Sequence, residues 1–217
     1  MNYDLAVIFS FSIAIAAIIG LLRFKRISPI YYPFLICVWI AFANETLSYV
    51  LTRVRHSTVI NIDIYSVVEA LLFTWQFRNW GLLRRPKWLF STIMCALVIF
   101  WIIESLFIGK LHSAISYYRI FYSFFIAVMS IYEINEQINQ EKKSLIKNSI
   151  FLICMAFVIY YTFNVIVGLF WLYGLHMSVS FQRGVVAILI YLNLFANLIY
   201  ALAVLWMPSK HRFSLSY

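Results

Sequence analysis

Asn44, Glu45, Ser48, Tyr49 and Thr52 sit at spacings that bring them onto one side of a helix, inside a long apolar run. The same pattern returns downstream. Tyr65, Ser66, Glu69 and Gln76 share one helical face, with Asp63 above them. Later apolar runs contribute Arg119, Tyr122, Ser123 and Ser130, then Tyr161, Asn164 and Gly168, then Arg183, Asn193, Asn197 and Ala201. Carboxylates, carboxamides, phenols and guanidinium groups in apolar surroundings can hold a polar ligand, an ion or a proton. They can also bond to one another and fix helix register. A charge at the centre of a transmembrane helix costs about 2.5 to 3.5 kcal/mol on insertion scales, so such groups turn toward a bundle interior.

The nine residues expected to bind a ligand are Asn44, Glu45, Tyr49, Glu69, Arg119, Asn164, Arg183, Asn193 and Asn197. Counting 1.5 Å per residue along each run puts Glu69, Asn164, Asn193 and Asn197 near mid-depth, with Glu45 a turn or less outward. Asp63, Glu104, Arg119 and Arg183 fall nearer the outer rim. The expectation is an outward-opening polar pocket, its floor formed by Glu45 and Glu69, with Arg119 and Arg183 as counter-charges. Glu69, if enclosed by apolar neighbours, is also a candidate proton-coupled or pH-sensing group.

Helices long enough to place these groups follow from composition. The 217 residues are 64% hydrophobic and 12% charged, with a mean hydropathy of +0.88. Ordinary globular domains carry roughly 25% charge. A transmembrane helix needs about 20 mostly apolar residues, and seven such stretches occur, at about 4–22, 31–52, 60–78, 88–108, 114–133, 149–174 and 182–206. The fold class expected is therefore all-α, a single seven-helix transmembrane domain. Residues 1–4 carry no basic cluster of the signal-peptide kind, so the first stretch reads as a retained helix.

Orientation follows from the basic residues, which collect in cytoplasmic loops. One set of helix ends carries twelve Lys and Arg and the other carries five. The amino terminus is expected outside and the carboxyl terminus in the cytoplasm of a bacterial inner membrane. Trp80, Trp88 and Trp206 fall at the inner interface, as do Pro29, Pro33, Pro86 and Pro208. The net charge of +9 serves orientation and anionic lipid and requires no nucleic acid. Cys37, Cys95 and Cys154 lie within apolar runs and read as small buried hydrophobes.

Three smaller features bear on partners and cofactors. The polar stretch 133–149 keeps Ile134, Ile138 and Leu145 in helical register with Ile131, so the fifth helix is expected to continue as an amphipathic extension. That extension and the inner basic loops are a candidate docking surface for a cytoplasmic partner. Ser12, Ala16 and Gly20 form a line of small residues suited to close helix packing within the bundle. His56, His112 and His176 fall in outer loops without a paired-histidine motif, and are only weak metal candidates. Asn44-Glu45-Thr46 fits a glycosylation acceptor pattern, but it is set inside an apolar run and is discarded.

In topology the chain resembles rhodopsin and other seven-helix receptors. A retinal protein needs a seventh-helix lysine for its Schiff base; the stretch 183–206 has none, so no retinal, and no other cofactor, is expected. Small seven-helix sugar transporters share the topology but carry prolines inside their helices. Ceramidase-type intramembrane hydrolases carry histidines inside theirs. The reading that fits best is a membrane sensor or receptor-like protein signalling through a cytoplasmic partner. A small transporter or channel is the alternative, followed by an intramembrane enzyme and an accessory subunit.

Overall fold

The computed structural model describes residues 3–55, 58–84, 86–107, 116–140, 145–173 and 178–209. Among these the chain is all-helical. The helices are α1 (Tyr3–Ser10), α2 (Ile13–Arg23), α3 (Tyr32–Arg55), α4 (Val59–Trp80), α5 (Lys87–Phe107), α6 (Tyr117–Gln140), α7 (Ser149–Leu172) and α8 (Val179–Trp206). Five segments are long and apolar enough to cross a membrane: Leu5–Arg23, Pro29–Val54, Trp88–Leu106, Ser149–Leu172 and Val179–Trp206. Large apolar side chains such as Leu22, Val54, Trp88, Leu106 and Phe124 lie exposed along the helices. Water does not favour so large an apolar surface, whereas lipid does. This is a membrane protein.

The first apolar run, expected as one rod, is broken at Phe11-Ser12. The Ser12 hydroxyl donates to the Phe9 carbonyl at 2.6 Å and accepts from the Asn197 carboxamide at 3.0 Å. A serine that bonds back to its own helix loosens the local turn, and here a second helix holds it there.

Helix starts and stops follow local chemistry. Pro29 opens the short 3-10 turn that leads into α3, and Pro208 follows the end of α8. Asn148 caps α7 by accepting from the Ile150 and Phe151 amides. Glu104 of α5 caps α6 from outside it, accepting from Ser116 Oγ at 3.0 Å and from the Tyr117 and Tyr118 amides at 2.6 Å each. A carboxylate at a helix amino terminus meets both unpaired donors and the positive end of the dipole. Glu104 is therefore a structural cap rather than a group at the rim of the site.

Packing closes the helices into a ring. α2 contacts α3 and α8, and the circuit continues from α3 to α4, α6, α7 and back to α8. α1 packs on α8, while α5 stands outside the ring against α4 and α6. Cys95, on α5, is accordingly exposed, whereas Cys37 and Cys154 are buried as expected. The small-residue line works within the bundle. Ala16 is fully buried, and a Cβ added at Gly20 would lie 3.0 Å from Leu35 and 3.8 Å from Val204. The guanidinium of Arg23 binds the carbonyls of Val204, Leu205 and Met207, and the Ser28 amide binds the Pro208 carbonyl, which ties the α2–α3 connection to the end of α8.

Candidate functional site

The register of α3 against α4 sets the depth of the polar groups. Asn61 of α4 donates to Asn44 Oδ1 and Ser48 Oγ, both at 2.8 Å. Fifteen residues further along α4, Gln76 accepts from the Phe34 amide at 2.9 Å and donates to the Ile30 carbonyl at 2.7 Å. Together these bonds set Glu45 opposite the level of Asp63. Glu69 then lies six residues, or about 9 Å, deeper toward the end of the bundle that carries Arg23 and Arg78, here the basic end. The two carboxylates were expected within about one turn of each other. They differ because α3 runs on past the start of α4, so equal distances from the connecting loop are unequal depths.

Inside the ring is a cavity of about 240 Å³. Its lining comes from α1 (Ser10), α2 (Ile13), α3 (Phe34, Cys37, Val38, Ala41, Asn44, Glu45), α4 (Ile62, Tyr65, Ser66, Glu69, Phe73), α6 (Arg119, Tyr122), α7 (Tyr160, Asn164) and α8 (Asn193, Ala196, Asn197, Tyr200). The peripheral α5 contributes none of these residues.

Seven of the nine expected residues line it: Asn44, Glu45, Glu69, Arg119, Asn164, Asn193 and Asn197. Tyr49 does not; its exposed ring packs edge-on against Phe11 and under the Arg53 guanidinium. Arg183 is also outside, exposed on the first turns of α8. His56, His112 and His176 lie outside the described residues.

Three layers make up the cavity. In the upper layer, Arg119 is paired with Asp63 at 3.1 Å. The counter-charge that was expected to serve Glu45 and Glu69 therefore goes first to Asp63. Glu45 has Ser10 as its hydrogen-bonding neighbour, and the Nε of Arg119 is buried without a partner. In the middle layer, Glu69 accepts from Tyr65 at 2.9 Å and from Tyr122 at 2.8 Å, and the Tyr161 hydroxyl also reaches it. Phenol donors on both oxygens stabilise a carboxyl group held away from water.

The lowest layer is aromatic. Phe34, Phe73 and Tyr200 are the last residues of the lining on this side, and Phe157 lies against all three, 4.4 Å from Phe73 between ring centroids. Phe157 and Phe34 are fully buried. Beneath this layer Gln76, also fully buried, uses both ends of its carboxamide on the backbone at the start of α3, at the Ile30 carbonyl and the Phe34 amide.

Compared with protein-family models, with curated proteins and with solved structures, the chain matches none. Its chemistry must be read from the cavity.

Fourteen lining residues were left out of the site by sequence reasoning, and six of them are aromatic: Phe34, Tyr65, Phe73, Tyr122, Tyr160 and Tyr200. In a chain with 15 Tyr and 20 Phe, an aromatic ring in an apolar run reads as core or lipid contact. Tyr65 carried a signal, because it stands one turn before Glu69 on the same helix face.

Proposed function

We propose that the protein is a receptor-like sensor crossing a bacterial cytoplasmic membrane seven times, with its amino terminus outside and its carboxyl terminus inside. α1 and α2 together form the first span. α4 and α6, 22 and 24 residues long, are the two spans that carry the charged groups Asp63, Glu69 and Arg119. Their length is enough to cross a hydrocarbon core of about 30 Å, and their polar faces are covered by ring neighbours. The excess of basic residues at one end supports the orientation.

One observation carries the functional reading: a polar cavity built by six rods of the ring ends blind on an aromatic layer. A cavity that opens outward and stops short of the cytoplasmic end suits binding and signalling better than passage. A small polar or amphipathic ligand would act by preferring one arrangement of the surrounding helices over another. The change would pass along α6, which continues through Gln140, to a cytoplasmic partner at 133–149 and the inner basic loops.

Native purification followed by mass spectrometry of released small molecules tests this reading. Ala41 lines the cavity, and Ala41→Trp fills it. The wild-type protein should release a small molecule that folded Ala41→Trp lacks. Identical contents in both would contradict the proposal, as would proteoliposome flux abolished by Glu45→Gln or Glu69→Gln, which would instead make the protein a transporter.

A further inference from the structure

Resting on the reading of this cavity as a ligand site, we propose that its ligand is a small organic cation, an ammonium group on a compact apolar body, with Glu45 as its principal counter-charge. Two features of the cavity support this. The first is charge. Glu45 and Glu69 are the two carboxylates of the lining, and Arg119 is the one cationic side chain among the cavity residues described. Arg119 is already engaged by Asp63 at 3.1 Å, which leaves Glu45 and Glu69 facing the cavity without a salt bridge among the described residues. A cation entering this space gains Coulomb energy in a medium that screens poorly, whereas an anion meets two like charges.

The second feature is the wall. Tyr65, Tyr122, Tyr160 and Tyr200, with Phe34 and Phe73 at the floor, line the same space. Aromatic rings around a carboxylate-bearing cavity are the arrangement that recognises ammonium groups, through the negative potential of the ring faces. The two carboxylates differ in how they are held. Tyr65 and Tyr122 occupy both oxygens of Glu69, whereas among the described residues Glu45 has Ser10 as its hydrogen-bonding neighbour and so keeps more capacity to bind a ligand donor.

Size limits the ligand. A dry cavity of about 150 Å³ holds benzene, so 240 Å³ takes about ten non-hydrogen atoms.

Three probes that share a phenylethyl body make the test: phenethylammonium, 2-phenylethanol and 3-phenylpropionate, titrated calorimetrically into the full chain in lipid nanodiscs. Folded Ala41→Trp serves as the blank for partition into lipid. Phenethylammonium should bind saturably and at least tenfold tighter than the alcohol or the carboxylate, and Glu45→Gln should remove at least tenfold of that affinity. If the alcohol or the carboxylate binds as tightly, cation selectivity is overturned while the ligand-cavity reading survives. If none of the three binds the wild-type protein, the cation proposal falls, and the mass-spectrometric comparison with Ala41→Trp decides the broader reading separately. Because the probe series is read on the wild-type protein, misfolding of Glu45→Gln would not rescue the proposal.

Discussion

Among the described residues, each buried carboxylate meets a particular partner. Glu104 shows this most simply: its carboxylate serves three donors at the start of α6. Glu104→Ala should lower stability by about 1 to 3 kcal/mol, with Glu104→Gln intermediate because it keeps an acceptor. Unfolding in mixed micelles would measure it, and equal stability of Glu104→Ala and wild type would refute the assignment. Asp63 and Arg119 form a pair of unequal burial, with side chains 8% and 29% exposed. Partial exposure of the arginine weakens the expected effect to about 1 to 3 kcal/mol for Asp63→Asn or Arg119→Gln alone. The double variant should recover part of that loss, whereas strictly additive losses would mean the pair is not coupled. That these residues would turn toward the bundle interior was legible in the sequence, because a charge in an apolar run has few alternatives. Their pairing was not legible. Asp63 and Arg119 are 56 positions apart, and only the packing of α4 against α6 decides that Arg119 meets Asp63 before Glu45 or Glu69.

Among the helices, periodicity and length located every long rod, and proline positions located several of their ends. The break at Ser12 was missed because it needs no proline or glycine; Asn197, 185 residues away, holds it. Ser12→Ala should cost about 0.6 to 1.7 kcal/mol, the range for interhelical polar contacts in membranes, read by the same unfolding assay. Gly168, the glycine set inside α7, has a steric reason. A Cβ there would lie 2.5 Å from Ile120 Cγ1, so α7 and α6 approach closely at this point. Gly168→Val should destabilise by about 1 to 3 kcal/mol, and pairing it with Ile120→Ala should restore part of the loss. A neutral Gly168→Val would mean the two helices are not in close contact there.

At the scale of the whole molecule, the ring of α1/α2, α3, α4, α6, α7 and α8 encloses the polar residues, and α5 stands outside it. Helical periodicity told which face of each rod is polar, and seven of the nine expected residues do meet at one cavity. It could not tell that one rod stands aside, that α3 overshoots α4, or that aromatic rings close the cavity. Those properties belong to packing between helices, on which sequence spacing is silent. The central claim, a cavity open to the outside and closed toward the cytoplasm by the Phe34–Phe73–Phe157 layer, is tested most directly by thiol labelling. In a background with Cys37, Cys95 and Cys154 replaced by alanine, single cysteines at Asn193, in the cavity, and at Thr74, fully buried one residue past Phe73, would be treated with a membrane-impermeant maleimide. The reagent would be applied to intact cells and, separately, to inverted vesicles. Asn193→Cys should be modified from the outer face alone and Thr74→Cys from neither, whereas labelling of Asn193→Cys from the cytoplasmic face, or of Thr74→Cys from both, would contradict the account.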